Sequence, residues 1–186
     1  MIWKFASDEH PDIVLAAIGD YLTKEALAAI QIIKTELPHV RVRFVSILEL
    51  TAIGLGNSDC RIPFHEFDDY FTPDKPVIFN YHGYPDTIKP LLFDHGDPKR
   101  FVVKGYIENG STTTPFDMQV RNKTSRYHLA IDVFQLLASR DTIPHNIADA
   151  LIAQYEKKLE DHGTYIRTHG VDPEEIENWQ WHPHSS

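Results

Sequence analysis

The sequence predicts an α/β fold, a three-layer α/β/α sandwich in which helices cover both faces of a mainly parallel sheet. Apolar runs without alternation, such as Asp12–Ile18 and Pro76–Tyr81, are typical of strands buried on both faces. Amphipathic stretches separate these runs, and such alternation favours parallel strands joined by crossover helices. With 186 residues the chain is long enough for one domain. We therefore predict a single domain over residues 1–186, in which residues 140–186 form a helical extension and tail.

Four segments are predicted strands because each is rich in Val, Ile or Phe and is bounded by turn-forming residues. They are Asp12–Ile18, Val40–Val45, Pro76–Tyr81 and Phe101–Tyr106.

Helices are predicted between and after these strands. Thr23 is the expected N-cap of the first helix, whose apolar residues recur at helical spacing until Pro38 ends it. The tail from Asp172 carries Trp179 and Trp181 among polar residues and is predicted to dock on the domain. The remaining predicted helices are His65–Phe71, Tyr84–Phe93, one long helix over Thr114–Ser139, and Pro144–Leu159 with an extension to His169.

Composition excludes several classes of protein. The net charge of −9 argues against a nucleic-acid partner, because such proteins display a basic face. A single cysteine excludes an internal disulfide and a cysteine-based zinc site. No apolar run is long enough for a membrane span, and the first residues lack a signal-peptide layout. We therefore expect no membrane partner and a cytoplasmic location.

The eleven histidines do not form a recognisable metal motif. Two ligands on one helix need histidines four residues apart, and His65-Glu66 has no second histidine at that spacing. We therefore predict no metal site. Solvated surface positions are predicted for His10, His39, His95, His145, His162 and His169.

His82 is different because it follows a predicted strand and precedes Gly83. Ligands of open α/β sheets bind at the carboxyl ends of the strands, so His82 is a candidate contact. A structural role, in which the imidazole bonds a neighbouring loop, is favoured because no acid or nucleophile lies nearby in the sequence. Tyr84 and Tyr106 fall at the same strand ends and are expected to be interface or core-edge aromatics.

The threonine run before the long predicted helix has the features of a helix start. Thr114 is the expected N-cap, Pro115 fits the first helical position, and Asp117 favours the positive end of the helix dipole. The backbone N–H groups and hydroxyls around Thr112 and Thr113 could in addition cradle an anion.

Several motifs together resemble the C-terminal domain of phosphoketolase, a thiamine-diphosphate enzyme related to transketolase. The similarity extends from about Trp3 to Trp181 and implies a transketolase-like C-terminal domain with a five-stranded mixed sheet. The fifth strand would lie either at Trp3–Ala6 or near Glu49. The motifs that carry the resemblance are Pro11–Ala16 with Gly19-Asp20, Glu66–Phe79, His82-Gly83-Tyr84-Pro85, Gly105–Met118 and Arg126-Tyr127-His128-Leu129.

The resemblance also implies a function. Phosphoketolases cleave xylulose 5-phosphate or fructose 6-phosphate with inorganic phosphate, giving acetyl phosphate and a shorter aldose phosphate. Their thiamine diphosphate and Mg²⁺ lie between two larger upstream domains, across a dimer interface, and the Gly-Asp-Gly cofactor motif of those domains has no match here. We therefore expect a terminal, non-catalytic part of a longer homodimeric enzyme, binding no cofactor itself and serving dimer stability or regulation.

The candidate contacts to a ligand or to the upstream domains share the strand ends and the threonine run. They are His82, Tyr84, Gly105, Tyr106, Glu108, Thr112, Thr113 and Thr114. An exposed apolar patch is expected where the upstream domains dock. The alternative is a free-standing module that binds a phosphorylated metabolite or nucleotide at these residues. A hydrolase is disfavoured because no nucleophile–base pair is visible.

Overall fold

The computed structural model describes residues 1–56, 59, 61–107 and 112–182. Glu108, one of the candidate contacts, lies outside the described residues, as does Cys60.

A parallel sheet of four strands forms the centre of the domain, in the order β2-β1-β3-β4. Its strands are β1 (Ile13–Ile18), β2 (Val42–Ser46), β3 (Val77–Tyr81) and β4 (Phe101–Gly105). In register, Ile18 lies opposite Tyr81, which in turn lies opposite Gly105, so three strands end side by side. The four predicted strands and their parallel pairing are confirmed.

The expected fifth strand is not among the strands that the structure describes, and both candidate positions were wrong. Residues Lys4–Ala6 and Leu50–Ile53 are short 3₁₀ turns. What remains of an added strand is one antiparallel bridge between Ile2 and Val45. The side chain of Ser7 explains the interruption, because its Oγ accepts the Phe44 N–H at 2.9 Å and thereby occupies the edge of β2.

Seven α-helices in the described parts of the chain surround the sheet. Helices α1 and α5 cover one face, α2 and α3 cover the other, and α6 packs against α5. The α/β/α sandwich is thereby confirmed. The helices are α1 (Asp20–Glu36), α2 (Phe67–Phe71), α3 (Pro85–Leu92), α4 (Pro115–Arg121), α5 (Arg126–Ser139), α6 (His145–His169) and α7 (Glu174–Glu177).

The core follows from the alternation of side chains along each strand. In β1, Ile13, Leu15 and Ala17 join the apolar cluster beneath α1 and α5, whereas Val14 and Ala16 join the cluster beneath α2 and α3. All six residues of β1 are buried, which is why this strand reads as one continuous apolar run.

The first helix begins earlier than its sequence predicted. Helix α1 starts at Asp20 after Gly19, so Thr23 lies inside the helix, where its N–H donates to the Gly19 carbonyl at 2.9 Å. Gly19 allows this early start because it adopts a φ of 105°, a conformation that other residues rarely take.

The single long helix predicted over Thr114–Ser139 is two helices, α4 and α5. Lys123 has a φ of 57°, and Ser125 is the N-cap of α5, with its side chain accepting the His128 N–H. The Thr124 hydroxyl donates to the Gln119 side chain at 2.7 Å. Adjacent Thr and Ser hydroxyls thus bond locally and outcompete a continuous helix.

The segment after residue 140 packs on the α1 and α5 side of the domain. Helix α6 continues through Gly163 to His169 and ends at Gly170, so the longer of its two predicted lengths is correct. Ile176 of α7 is buried, and Trp179 and Trp181 pack against the same core, as predicted for a docked tail.

Candidate functional site

The carboxyl ends of the strands are tied together by backbone hydrogen bonds. The His82 N–H donates to the Ile18 carbonyl at 3.0 Å, and the Tyr106 N–H donates to the Tyr81 carbonyl at 3.2 Å. These bonds extend the pairing of β1, β3 and β4 by one residue beyond the strands. The N–H groups of His82 and Tyr106 are therefore already used and do not point to a ligand.

His82 lies where a doubly wound sheet usually has its ligand crevice. Such crevices form where the chain reverses direction across the sheet, which here is between β1 and β3. A Cβ added to Gly19 would lie 2.8 Å from the Cβ of His82, so the histidine packs directly on the glycine. Its ring also meets the edge of the Tyr106 ring, with centroids 5.1 Å apart. His82 thus covers the crevice with its own side chain.

Gly105 ends β4 in a space that only a glycine fits. A Cβ at this position would overlap with the Gly83 carbonyl oxygen and the Pro85 ring. Gly105 is buried, so it lies below the surface that a ligand could reach. Its role in the structure is to allow the backbone to pack closely.

Large apolar side chains are exposed at this same edge of the sheet. Tyr84 after β3 is 61% exposed, Ile107 after β4 is 45% exposed, and Leu48 after β2 is 76% exposed. Met1 is also exposed and lies here, because its amino group and the Ser46 carbonyl are 2.8 Å apart. We name this region the strand-end surface and define it by Met1, Leu48, His82, Tyr84, Tyr106 and Ile107.

The predicted capping role of Thr114 is confirmed. Its Oγ1 accepts the Asp117 N–H at 3.3 Å and donates to Asp172 Oδ1 at 2.6 Å. Asp172 Oδ2 accepts the Phe116 N–H at 2.8 Å, and His162 Nε2 lies 2.9 Å from Asp172 Oδ1. The start of α4 is therefore fastened to α6 and to the tail through one buried carboxylate.

The threonines also line a cavity of about 450 Å³. Arg121 and Arg167 contribute positive charge to its lining, while Asp172 and Glu177 contribute negative charge. Thr113 donates to Asp117 Oδ2 at 2.7 Å, so its hydroxyl is engaged within the loop. None of the residues of the strand-end surface lines this cavity.

Two histidines predicted to be solvated are buried, and these predictions were wrong. His162 is 3% exposed and bonds Asp172, and His95 is 8% exposed and stacks on Phe67 with ring centroids 3.6 Å apart. Neither partner could be inferred from local sequence, since Asp172 and Phe67 lie well away along the chain. The other four surface histidines, His10, His39, His145 and His169, are exposed as predicted.

A buried ion pair joins α1 and α5, and it was not predicted from the sequence. Glu25 is fully buried, and its carboxylate accepts Arg126 Nε at 3.0 Å, Arg126 Nη2 at 2.7 Å and the Arg126 backbone N–H at 2.8 Å. One signal was present, because Glu25 lies at helical spacing with Leu22 and Ala29 on the apolar face of α1. A charge at such a position requires a buried partner.

A second polar group lies between β4 and α5. Lys104 pairs with Asp132 at 2.8 Å, and His128 Nδ1 lies 2.8 Å from Ser125 Oγ. Burial, aided by the nearby charges of Lys104 and Lys123, lowers the pKa of His128 to about 4. His128 is therefore neutral at physiological pH and supports the start of α5.

Among the residues that the structure describes, no group of three or more His, Cys, Asp or Glu side chains is placed to hold a metal ion. The helices of the same residues include none that is both long and apolar enough to cross a membrane.

The sheet order and the two helical layers define the class of this chain as a doubly wound α/β sandwich domain. The model of the family described as the XFP C-terminal domain matches residues 1–181. The chain therefore belongs to the XFP C-terminal domain family, and the resemblance to phosphoketolase is confirmed.

The curated relatives carry matching names. The chain is 41% identical over 184 residues to a "Probable phosphoketolase" of Brucella abortus, covering 97% of this chain and 23% of that protein. It is 42% identical over 183 residues to "Probable phosphoketolase 2" of Rhizobium meliloti, with the same coverage of 97% and 23%. The chain thus spans less than a quarter of the length of these relatives.

Among solved structures, a protein named "Split gene transketolase, inactive beta4 tetramer" superposes with a TM-score of 0.48 at 15% identity. The superposition covers 71% of this chain and 41% of that chain. A similarity this low carries no functional information.

Proposed function

We propose that this chain is the non-catalytic C-terminal domain of a thiamine-diphosphate-dependent phosphoketolase, and that it docks on the preceding domains through the strand-end surface. The observation that supports docking there is the cluster of exposed apolar side chains at the carboxyl ends of the strands, with Leu48 and Tyr84 more than half exposed. Exposed apolar patches of this kind mark interaction sites.

The direction of the chain supports the same surface. Met1 and Ser46 exchange two backbone hydrogen bonds of 2.8 Å, which places the first residue beside the carboxyl end of β2. In a protein as long as the Brucella and Rhizobium relatives, the preceding chain would reach this domain at that edge.

The proposed reaction belongs to the whole enzyme. The whole enzyme would be a carbon–carbon lyase that cleaves xylulose 5-phosphate or fructose 6-phosphate with phosphate, giving acetyl phosphate and an aldose phosphate. Thiamine diphosphate and Mg²⁺ would be held by the preceding domains of a cytoplasmic homodimer, and thiamine diphosphate supplies the carbanion chemistry. The isolated chain would be inactive, and its contribution would be to the stability or regulation of the dimer.

The alternative function is a free-standing module that binds a phosphorylated metabolite or nucleotide, for which the threonine run is the candidate site. Arg121 and Arg167 favour it, because guanidinium groups bind phosphate well. Asp172 and Glu177 in the same lining disfavour it, and the hydroxyls of Thr113 and Thr114 are already bonded within the protein. The docking domain is therefore the better supported proposal.

A chimera tests the docking proposal. The matching part of the Brucella abortus relative is replaced by this chain, with or without the double substitution Leu48→Asp and Tyr84→Asp. Burying two carboxylates in an interface should weaken assembly by about tenfold or more, measured as the dimer-to-monomer ratio in light scattering. Acetyl phosphate formation should fall in parallel.

Ile147→Asp provides the matched control. Ile147 is 42% exposed but lies on α6, away from the strand-end surface, so its substitution should leave assembly unchanged. Equal assembly of the double variant and the control would contradict the proposed docking surface. Failure of the unmodified chimera to assemble would contradict the docking function itself.

A further inference from the structure

A separate cavity of about 260 Å³ lies among α1, α5, α6 and the C-terminal tail. It shares no lining residue with the cavity at the threonines, and none of the strand-end surface residues line it. Neither the family resemblance nor the proposed docking assigns a role to it. We name it the helix-face cavity and define it by Gln31, Arg126, Tyr127, Tyr155, Lys158 and Trp179.

The guanidinium of Arg126 is held in a fixed position in this cavity, and its Nη1 group is still available to donate a hydrogen bond. Its side chain is 5% exposed, and Glu25 accepts from Nε and Nη2. The Nη1 group makes no hydrogen bond to any residue within the described ranges. The guanidinium also lies over the rings of Phe116 and Trp179, 5.4 Å from each centroid, so its orientation is set in advance.

Gln31 adds an unsatisfied acceptor to the same cavity. Its Oε1 is buried without a hydrogen-bond partner among the described residues. A buried polar atom that lacks a partner is destabilising, and a bound donor would relieve that cost. The lining thus offers an N–H donor on Arg126, and Gln31 carries an acceptor that a rotation of its side chain would turn toward a ligand.

Lys158 supplies positive charge that its neighbours do not neutralise directly. Its ammonium lies 5.9 Å from the Tyr127 ring centroid and 5.8 Å from that of Tyr155. It makes no ion pair with a carboxylate in the described part of the chain, unlike its neighbour Lys157, which pairs with Asp161 at 2.6 Å. Glu175 also lines the cavity and offsets part of this positive charge.

We propose that the helix-face cavity binds a small organic anion that carries both an oxyanion group and a hydroxyl or amino donor. Arg126 Nη1 and Lys158 Nζ bind the phosphate or carboxylate, and Gln31 Oε1 accepts from the donor. The volume limits the ligand to a few carbon atoms, because cavities for drug-sized ligands are typically about 300–1,000 Å³. The aromatic walls of Tyr127 and Trp179 pack on its carbon atoms.

Calorimetric titration of the 186-residue chain with glycerol 3-phosphate and with inorganic phosphate tests the site. Glycerol 3-phosphate should bind saturably, and Lys158→Gln should weaken its binding by about tenfold, the loss expected for one charge-assisted hydrogen bond. Lys157→Gln is the matched control and should change the affinity less than twofold. Gln31→Leu should weaken glycerol 3-phosphate binding while leaving phosphate binding unchanged, because inorganic phosphate has no glycerol hydroxyl to donate to Gln31 Oε1.

A paired substitution extends the test to the buried ion pair. The double variant Glu25→Gln and Arg126→Gln keeps a buried amide pair but lacks the guanidinium, so a folded double variant should bind neither probe. If that variant does not fold, the comparison of Lys158→Gln with Lys157→Gln decides alone. Absence of saturable binding by both probes up to about 10 mM, or equal effects of the two lysine substitutions, would overturn the proposal.

Discussion

Replacing Arg126 by alanine should lower the free energy of unfolding by about 3–5 kcal/mol, the cost of leaving a buried charge without its partner. Glu25 is fully buried, and three hydrogen bonds to its carboxylate come from Arg126. The truncation also removes the guanidinium that packs against Phe116 and Trp179. Urea denaturation followed by circular dichroism measures the loss.

Two comparisons separate the buried charge from other effects of this substitution. Arg41→Ala breaks a bidentate pair with Asp12 on the surface, and it should change stability much less because water screens the remaining carboxylate. Adding Glu25→Gln to Arg126→Ala should recover part of the loss, since an amide costs less to bury than a charge. If Arg126→Ala were no more destabilising than Arg41→Ala, the ion pair would not hold α1 to α5.

Gly105→Ala is the second substitution with a large expected effect, a destabilisation of about 2–3 kcal/mol through overpacking. The added methyl group would overlap with the Gly83 carbonyl oxygen and the Pro85 ring, and neither can rotate away. For a domain of this size the melting temperature should fall by roughly 5–10 °C. Differential scanning calorimetry measures it directly.

Gly163→Ala is the control for that measurement. Gly163 lies inside α6, where an added Cβ would meet only Arg167 Nη1, at 3.5 Å, so alanine should stabilise the helix by about 0.5–1 kcal/mol. Opposite signs for the two glycine substitutions are expected. A melting temperature of Gly105→Ala equal to that of the unsubstituted protein would mean that the backbone around Gly105 has room for a methyl group, which would contradict the close packing of Gly83 and Pro85 against it.

Most of the fold could be predicted because its signals are local. The buried strands appear as continuous apolar runs. The start of α4 is marked by Thr114, whose side chain caps the helix, and by Pro115, which fits the first helical position. The division of α4 from α5 could not be found from apolar spacing, because it depends on the local bonds of Thr124 and Ser125. At the N-terminal candidate for the fifth strand, the side chains of Ser7 and Asp8 accept the Phe44 and Val42 N–H groups of β2, which a strand partner would otherwise bind.

The candidate site was harder to predict because its residues meet across the fold. Glu25 and Arg126 are separated by 101 positions, and Thr114 and Asp172 by 58. The sequence placed His82 correctly at a strand end, but its packing on Gly19 depends on the pairing of β1 with β3. Strand order could not be predicted, so neither could which of the side chains at this edge are neighbours.

The length of the native polypeptide tests the central proposal most directly. An antibody raised against this chain would be used to probe a blot of the source cells. A band several times larger than 21.4 kDa is expected if the chain is the terminal domain of a phosphoketolase. A single band at 21.4 kDa would contradict this account and would favour a free-standing binding module.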